Sequence, residues 1–343
     1  RAVIILNDNG RSYAPTVSRL ATVMSRVRQS PNYVKGRQAV VNILDRMPLG
    51  EEVKRGLSGA AAAMREMWEP PAFFETLGVR YLGPIDGHDI EALESALSDA
   101  SSYEDGPIVV HVLTDKGRGY APAEDDEEKH LHDIGLFDPA TGNSSSASGK
   151  NFTSEFSNSL LTIAERRPDV VAITAAMPGS TGLLPFQQRY PDRFFDTGIA
   201  EQHALTSAAG MARAGLRPFV AIYSTFLARG FDQVMYDIGL HGLPVVICID
   251  RAGVTGPDGA SHHGVHDIAM YARVPGMTIF SPSSLQELPV MMNQALETNG
   301  PVAIRWPRGT ADESSVVGQG LSARLVRDGQ DVAILAAGKM LKA

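Results

Sequence analysis

The stretch Phe195-Asp-Thr-Gly-Ile-Ala-Glu-Gln-His203 joins a short apolar run directly to an Ala-rich segment. This pattern predicts a strand that passes into a helix, the unit from which parallel α/β folds are built. Glu201 stands where the first helical turn would begin. A carboxylate there is favoured by the helix dipole, and in apolar surroundings it could share a proton with a heterocycle nitrogen. A purely structural alternative is that Thr197 or Gly198 caps the helix and that Glu201 holds its first free amides.

Beyond this stretch, β-branched segments of strand length alternate with helical patterns along the chain. Such alternation predicts an α/β fold with parallel sheets that are flanked by helices on both faces. The predicted strands are residues 1–6, 108–114, 170–176, 218–223, 245–250, 277–280, 302–306 and 331–337.

Two changes in composition divide the chain. Residues 140–150 are small, polar and without periodicity, as in a connector, and a second boundary is expected near residues 309–320. The predicted domains are residues 1–148, 149–312 and 313–343. Because the chain opens on a strand pattern and closes after one strand, we expect it to begin and end inside domains. Residues 14–58, with scattered arginines, are expected to form a weakly ordered cover over a site.

The charge balance limits the class of partner. The 343 residues include 31 Lys and Arg against 39 Asp and Glu, a formal charge of −8, without a long basic block. This argues against nucleic acid or an anionic membrane surface as the main partner, and no apolar run is long enough to span a bilayer. The single cysteine, Cys248, lies inside an apolar strand run and is predicted to be a core residue. The absence of an internal disulfide fits a reducing, cytoplasmic location.

Charged and aromatic residues follow several predicted strands, where ligands of parallel α/β folds collect. Arg229, Arg251 and Arg308 could converge on a small anion such as a phosphate ester, although each alone is explained as a surface charge. Phe226 could be a core residue or a ring face for a flat cofactor. The oxygens of Asn7-Asp-Asn-Gly10 could help to hold Mg²⁺ beside a diphosphate, although Asn-Gly is also an ordinary turn.

The histidines leave several roles open. His262, His263 and His266 permit a zinc site, but zinc needs further ligands, and proton transfer suits His262 better. His130 and His132 follow an acidic loop, where a solvated pair is the default and a proton shuttle is the alternative.

Taken together, these motifs resemble the 1-deoxy-D-xylulose-5-phosphate synthase family, which has a transketolase-like, thiamin-diphosphate-binding fold. In the second part of the chain the resemblance lies in Gly198-Ile-Ala-Glu-Gln-His203, Tyr223-Ser-Thr-Phe226, Asp250-Arg-Ala-Gly253, His262-His-Gly264 and Arg305-Trp-Pro-Arg-Gly309. In the first part it lies in Asn7-Asp-Asn9, Gly83-Pro-Ile-Asp-Gly-His88 and Lys116-Gly-Arg-Gly-Tyr120. The resemblance implies an enzyme that joins pyruvate to D-glyceraldehyde 3-phosphate with release of CO2, using thiamin diphosphate and Mg²⁺, at the entry to the non-mevalonate isoprenoid pathway.

The resemblance also implies roles for individual residues. Glu201 would hydrogen-bond the aminopyrimidine ring of the cofactor and promote its imino tautomer, while Phe226 would stack on that ring. His262 would assist at the reacting oxygens, and His132 would approach from the first domain. Asn9 would ligate Mg²⁺, and Tyr120 would lie near the cofactor. The phosphosugar acceptor would be held by Tyr223, Arg229, Arg251, Asp258 and Arg308. A homodimer is a further implication of the family.

The family pairs its Asn-Asp-Asn segment with an upstream Gly-Asp-Gly segment that supplies a magnesium-binding aspartate and that this sequence does not contain. We therefore expect this stretch alone to bind the cofactor weakly. Two rival interpretations stay open. Another transketolase-family enzyme would share a glutamate like Glu201 but would differ around residues 251–264. An inactive fragment acting as a nucleotide- or phosphosugar-binding module is disfavoured, because neither Gly-x-Gly-x-x-Gly nor Gly-Lys-Ser/Thr stands between a strand and a helix.

Overall fold

A computed structural model describes residues 2–10, 71–127, 130–132, 134–144, 150–310, 314, 317–318 and 320–342. The contacts divide these residues into two compact units, one up to Ser144 and the other from Lys150 onward. The expected cover at residues 14–58 lies outside the described residues. The division into three domains stays a prediction.

The first unit is built on a parallel sheet of three strands, β1 (Val3–Asp8), β2 (Arg80–Asp86) and β3 (Ile108–Leu113), in the order β1-β3-β2. Its helices are α1 (Pro71–Thr76), α2 (Ile90–Ser102) and α3 (Ala121–Glu124). Strand β2 was not predicted, because Gly83 and Pro84 are typical of a turn. Gly83 is required there for a close approach, since a Cβ at this position would lie 2.6 Å from the carbonyl oxygen of His111.

The second unit is built on a parallel sheet of six strands in the order β5-β4-β6-β7-β9-β8. The strands are β4 (Val170–Thr174), β5 (Phe194–Asp196), β6 (Arg217–Tyr223), β7 (Val246–Asp250), β8 (Thr278–Phe280) and β9 (Val302–Arg305). The helices are α4 (Phe152–Arg166), α5 (Leu184–Arg189), α6 (Glu201–Arg213), α7 (Ser224–Leu227), α8 (Phe231–Gln233), α9 (Asp267–Tyr271) and α10 (Glu287–Glu297). A π-helix (Val234–Gly239) and short 3-10 turns at Pro191–Arg193, Ala228–Gly230, Gly256–Asp258, Ala260–His262 and Gly338–Lys342 connect them.

The six-stranded sheet is buried on both faces, which explains why its strands are continuous apolar runs. Alternate residues of each strand point to opposite faces. On one face Phe219 and Cys248 join a core that α4 and α10 cover, and on the other Val220 and Ile249 join a core that α6 covers. The predicted parallel α/β fold and the predicted core position of Cys248 are confirmed.

The predicted strand at residues 331–337 is wrong. The segment is irregular, and Val332, Ile334 and Leu335 are exposed to solvent. A β-branched run becomes a strand only where a neighbouring strand supplies partners for its backbone amides and carbonyls. None of the helices within the described ranges has the length and apolar character needed to cross a bilayer.

The environment of Cys248 leads to a prediction about its reactivity. Burial raises the pKa of the Cys248 thiol well above its ordinary value, and the nearby Asp250 carboxylate adds to the shift. Because the thiolate is the reactive form, we expect a water-soluble thiol reagent to label the native chain at least about a hundredfold more slowly than the unfolded chain. The chain has one cysteine, so the absorbance of the coloured thiol that a disulfide reagent releases on labelling reports Cys248 alone. Rapid labelling of the native chain would contradict the prediction.

Candidate functional site

The residues singled out in the second unit lie at one edge of its sheet. All strand pairs in this sheet are parallel, so the carboxyl ends of β5, β6, β7 and β9 open toward the same side. Glu201 follows β5, Phe226 follows β6, Arg251 follows β7 and Arg308 follows β9. This is the edge at which parallel α/β proteins bind ligands.

Glu201 is the first residue of α6 and is only 2 % exposed. The alternative of a cap at Thr197 or Gly198 is not found: Ala200 precedes the helix and makes no side-chain hydrogen bond to its first amides. The Thr197 hydroxyl lies 3.3 Å from each of the backbone carbonyl oxygens of Thr174 and Ala200, which compete for its one proton, and it forms no cap hydrogen bond with the helix. Within the part of the chain that the structure describes, the Oε2 atom of Glu201 is buried without a hydrogen-bond partner.

Among the residues that the structure describes, the carboxylate pairs with Arg229, whose Nη1 lies 3.2 Å from Oε2 of Glu201. The contact is an ion pair without hydrogen-bond geometry, because the same oxygen is unsatisfied as an acceptor. Arg229 lies in the turn that follows α7, and 55 % of its side chain is exposed. Glu201 can therefore accept a hydrogen bond from a bound ring. Arg229 meanwhile offsets the negative charge of the Glu201 carboxylate from the solvent side.

Phe226 is the centre of an aromatic group. Its ring stacks on Tyr223 with centroids 5.4 Å apart, and its other contact is edge-on to His262, also at 5.4 Å. The guanidinium carbon of Arg251 lies 3.7 Å from the Tyr223 ring centroid. Phe226 also packs against the core below it, so the two roles considered for this residue are compatible. The structure thus brings together Tyr223, Phe226, Arg251 and His262.

Arg251 is held in place by residues that the sequence analysis missed. Its backbone has a left-handed φ of 60°, and its amide donates to Oδ1 of the buried Asp250 at 2.6 Å. Oδ2 of Asp250 accepts from the Thr153 hydroxyl at 2.8 Å, and Nη1 of Arg251 donates to the carbonyl of Ser180 at 3.2 Å. Burial raises the pKa of Asp250, whereas the charge of Arg251 and the Thr153 bond oppose that shift. The sequence signal for this arrangement was the Asp-Arg pair at the end of β7, where an acid stands next to an arginine at the ligand-binding edge.

The third arginine at this edge is also paired with an acid, because Arg308 forms an ion pair with Asp258. Arg229, Arg251 and Arg308 thus each face a different carboxylate, and their convergence on one anion stays a prediction. A guanidinium has five N–H donors, so pairing with one carboxylate leaves donors for a phosphate ester.

Comparison with known proteins identifies relatives of both units. Residues 149–312 match the transketolase pyrimidine-binding domain, and residues 1–114 match 1-deoxy-D-xylulose-5-phosphate synthase. The chain is 48 % identical over 313 residues to the 1-deoxy-D-xylulose-5-phosphate synthase of Mycolicibacterium paratuberculosis, covering 91 % of the chain and 49 % of that protein. The chain belongs to the 1-deoxy-D-xylulose-5-phosphate synthase family.

A second synthase of this family, from Mycobacteroides abscessus, is 48 % identical over 334 residues, which cover 97 % of the chain and 51 % of that protein. The chain spans about half the length of the curated relatives it matches. The resemblance and the transketolase-like fold inferred from the sequence are confirmed, and membership of this family implies thiamin diphosphate as cofactor.

The remaining predicted site residues of this family member lie in the first unit. Asn9 directly follows β1, and the Tyr120 hydroxyl donates to the carbonyl of Pro139 at 2.6 Å. His132 is half-buried, and the neighbouring His130 contacts the carbonyl of Ala123 through Nδ1 at 2.9 Å. Among the residues described here, no group of three or more His, Cys, Asp or Glu side chains could hold a metal ion. The role of Asn9 as a magnesium ligand stays a prediction.

Histidines of the second unit are engaged within their own loop. Nδ1 of His263 accepts from the backbone amide of Thr255 at 3.2 Å, and Nδ1 of His262 lies 3.0 Å from the Ser261 hydroxyl. His263 therefore has a structural role, while the ring of His262 faces Phe226.

The Glu201 pair can be tested by stability measurements. We expect Arg229→Ala to lower the free energy of unfolding by about 1 kcal/mol or more, because a buried carboxylate loses its only neighbouring positive charge that the structure describes. Arg189→Ala is the matched control, since Arg189 pairs with Glu165 at 2.9 Å but both side chains are more than half exposed. Urea unfolding of both variants checks this, and equal midpoints for the two would contradict it.

Proposed function

We propose that the full-length protein joins pyruvate to D-glyceraldehyde 3-phosphate, releases CO2 and forms 1-deoxy-D-xylulose 5-phosphate. This would be the first step of the non-mevalonate isoprenoid pathway, and the product would also feed thiamin and pyridoxal biosynthesis. The observation that carries the proposal is the buried Glu201 carboxylate, whose Oε2 has no hydrogen-bond partner in the described part of the chain, at the ligand-binding edge of the sheet. The names of the relatives support the choice of reaction.

The residues present fit thiamin diphosphate. When bound, this cofactor supplies the nucleophilic carbon and the electron sink that decarboxylation of a 2-oxo acid requires. Glu201 would hold a proton at the nitrogen of the aminopyrimidine ring, in a pocket where little water competes for it. Phe226 would lie against that ring, with Tyr223 fixing the orientation of the Phe226 ring by stacking on it. Asn9 would offer its amide oxygen to Mg²⁺, a ligand type that this ion prefers.

The arginines proposed to bind the acceptor are pre-positioned by acidic partners. Arg251 is fixed by Asp250 and stacked on Tyr223, and Arg308 is fixed by Asp258, so neither side chain has to be ordered when a phosphate ester binds. Forked guanidinium groups suit the oxygens of a phosphate. His262 would exchange a proton at the oxygen atoms of the reacting carbonyl, and Tyr223, Arg229 and Asp258 would complete the acceptor site.

Three parts of the proposal rest on the family and on composition. His132 and Tyr120 would act from the first unit near the cofactor. The protein would be a homodimer, as the resemblance implies. A cytoplasmic location is proposed because the one cysteine is unpaired and buried.

Replacement of Glu201 tests the central role. We expect Glu201→Ala in the full-length protein to lower kcat at least about a hundredfold, the usual range for a lost acid–base group. Glu165→Ala is the matched control, because Glu165 is an exposed acid in the last turn of α4 that pairs with Arg189, and its loss should leave turnover unchanged. The far-ultraviolet circular dichroism spectrum of each variant shows whether the fold is retained. A folded Glu201→Ala variant with wild-type turnover would refute the role.

The choice of donor separates the proposed reaction from that of another transketolase-family enzyme. With thiamin diphosphate and Mg²⁺ present, we expect the full-length protein to consume pyruvate together with an aldose phosphate and not to cleave ketose phosphates. Cleavage of a ketose phosphate would favour the transketolase alternative. A calorimetric titration with thiamin diphosphate, ATP and NAD distinguishes both enzymes from a nucleotide-binding module, because we expect heat of binding from the first ligand alone.

A further inference from the structure

One buried carboxylate near the site is used by neither the cofactor nor the acceptor in the proposed function. Asp267 is the first residue of α9 and is only 4 % exposed. Its Oδ1 accepts a short hydrogen bond from the hydroxyl of Ser224, and its Oδ2 accepts from Nε of Arg305 at 3.4 Å. Both oxygens therefore face other elements of the fold, and Asp267 does more than begin its own five-residue helix.

The two partners of Asp267 lie at the ends of strands that do not touch. Ser224 follows β6 and Arg305 ends β9, while β7 runs between these two strands. The loop of residues 251–264 leaves the sheet from β7, and Asp267 stands where the chain returns from that loop. The carboxylate therefore fastens the returning end of the loop to both strands that flank its origin.

The ends of the loop are also joined to each other. The backbone amides of Gly253 and Gly264 each donate to the carbonyl of the other at 2.8 Å. Gly264 packs so closely on Ser224 that a Cβ there would lie 2.0 Å from the Ser224 Oγ. This tight packing places the Ser224–Asp267 hydrogen bond directly beneath the loop closure.

The same contacts set the spacing within the site. The loop carries Asp258 and His262, and Ser224 begins α7, which carries Phe226. The bond between Ser224 and Asp267 is thus a direct link between the element that holds Phe226 and the loop that holds His262, whose rings are 5.4 Å apart. A displacement of the loop by about 1 Å is enough to impair catalysis in a site that depends on orientation.

We propose that Asp267 is a positioning residue that, through Ser224 and Arg305, holds the loop of residues 251–264 against α7 and so fixes His262 and Asp258 for the acceptor. This inference rests on the proposed function for the identity of the acceptor, while the restraint on the loop is independent of it. Burial raises the pKa of Asp267, and the hydrogen bond from Ser224 and the charge of Arg305 oppose that shift without cancelling it.

Two variants of the full-length protein with saturating thiamin diphosphate and Mg²⁺ test the proposal. Asp267→Asn keeps the side-chain shape but removes the charge that faces Arg305, and Ser224→Ala removes the hydroxyl. In both we expect backbone amides of residues 252–264 to exchange hydrogen at least about tenfold faster. We also expect the KM for D-glyceraldehyde 3-phosphate to rise about tenfold, with the KM for pyruvate and the Kd for thiamin diphosphate changed by less than about threefold.

Ser159→Ala is the matched control. Ser159 is also a buried serine whose hydroxyl donates to a carboxylate, that of Glu155, at 3.2 Å. Both residues lie on α4, so this hydrogen bond does not join the loop of residues 251–264 to another element. Unchanged exchange in residues 252–264 of the Ser224→Ala variant would overturn the proposal, and so would an equal rise of both KM values or faster exchange throughout the second unit. If the wild-type protein forms no product, the proposed function fails, and the exchange measurement still decides whether Asp267 restrains the loop.

Discussion

The burial of one carboxylate, Glu201, against one half-exposed guanidinium, Arg229, is the interaction on which the site depends. Transfer of an ionised side chain from water into the protein interior without a partner costs on the order of several kcal/mol of free energy. Here the cost is offset by the ion pair with Arg229 at 3.2 Å and by the position at the start of α6, where the helix dipole favours negative charge. Because Oε2 is left without a hydrogen bond within the described residues, the protein keeps an acceptor ready for a ligand.

The same pairing of an acid with an arginine recurs along the carboxyl edge of the six-stranded sheet. Asp250 holds Arg251, Asp258 holds Arg308 and Asp267 holds Arg305. Arg251 directly follows β7, whereas Arg305 ends β9 and Arg308 lies three residues beyond it, so the charged groups are attached close to the rigid sheet. Such preorganisation lowers the entropy lost when a charged ligand binds. In the proposed function, a phosphorylated aldehyde would meet donors that are already oriented.

The sequence anticipated the edge at which these residues meet but not the contacts that hold them there. The positions of Glu201, Phe226, Arg251 and Arg308 after successive strands were sufficient, because parallel strands direct their carboxyl ends to one side. The roles of Thr153 and Asp267 were not visible, since each acts through a partner about 97 or 43 residues away along the chain, Asp250 and Ser224 respectively. The first-unit residues Asn9, Tyr120 and His132 keep the roles that the resemblance implies as predictions.

The amino-acid sequence by itself determined the class of fold, the core position of Cys248, the strand-to-helix unit that presents Glu201 and the family. These follow from periodicity, local chain direction and motif identity, which are properties of neighbouring residues. Only the tertiary structure decided that Gly83 and Pro84 lie within a strand, that residues 331–337 do not form one, and that Glu201 pairs with Arg229. Each of these depends on which distant segment supplies the hydrogen-bond or charge partner, and a linear sequence does not specify that partner before the chain folds.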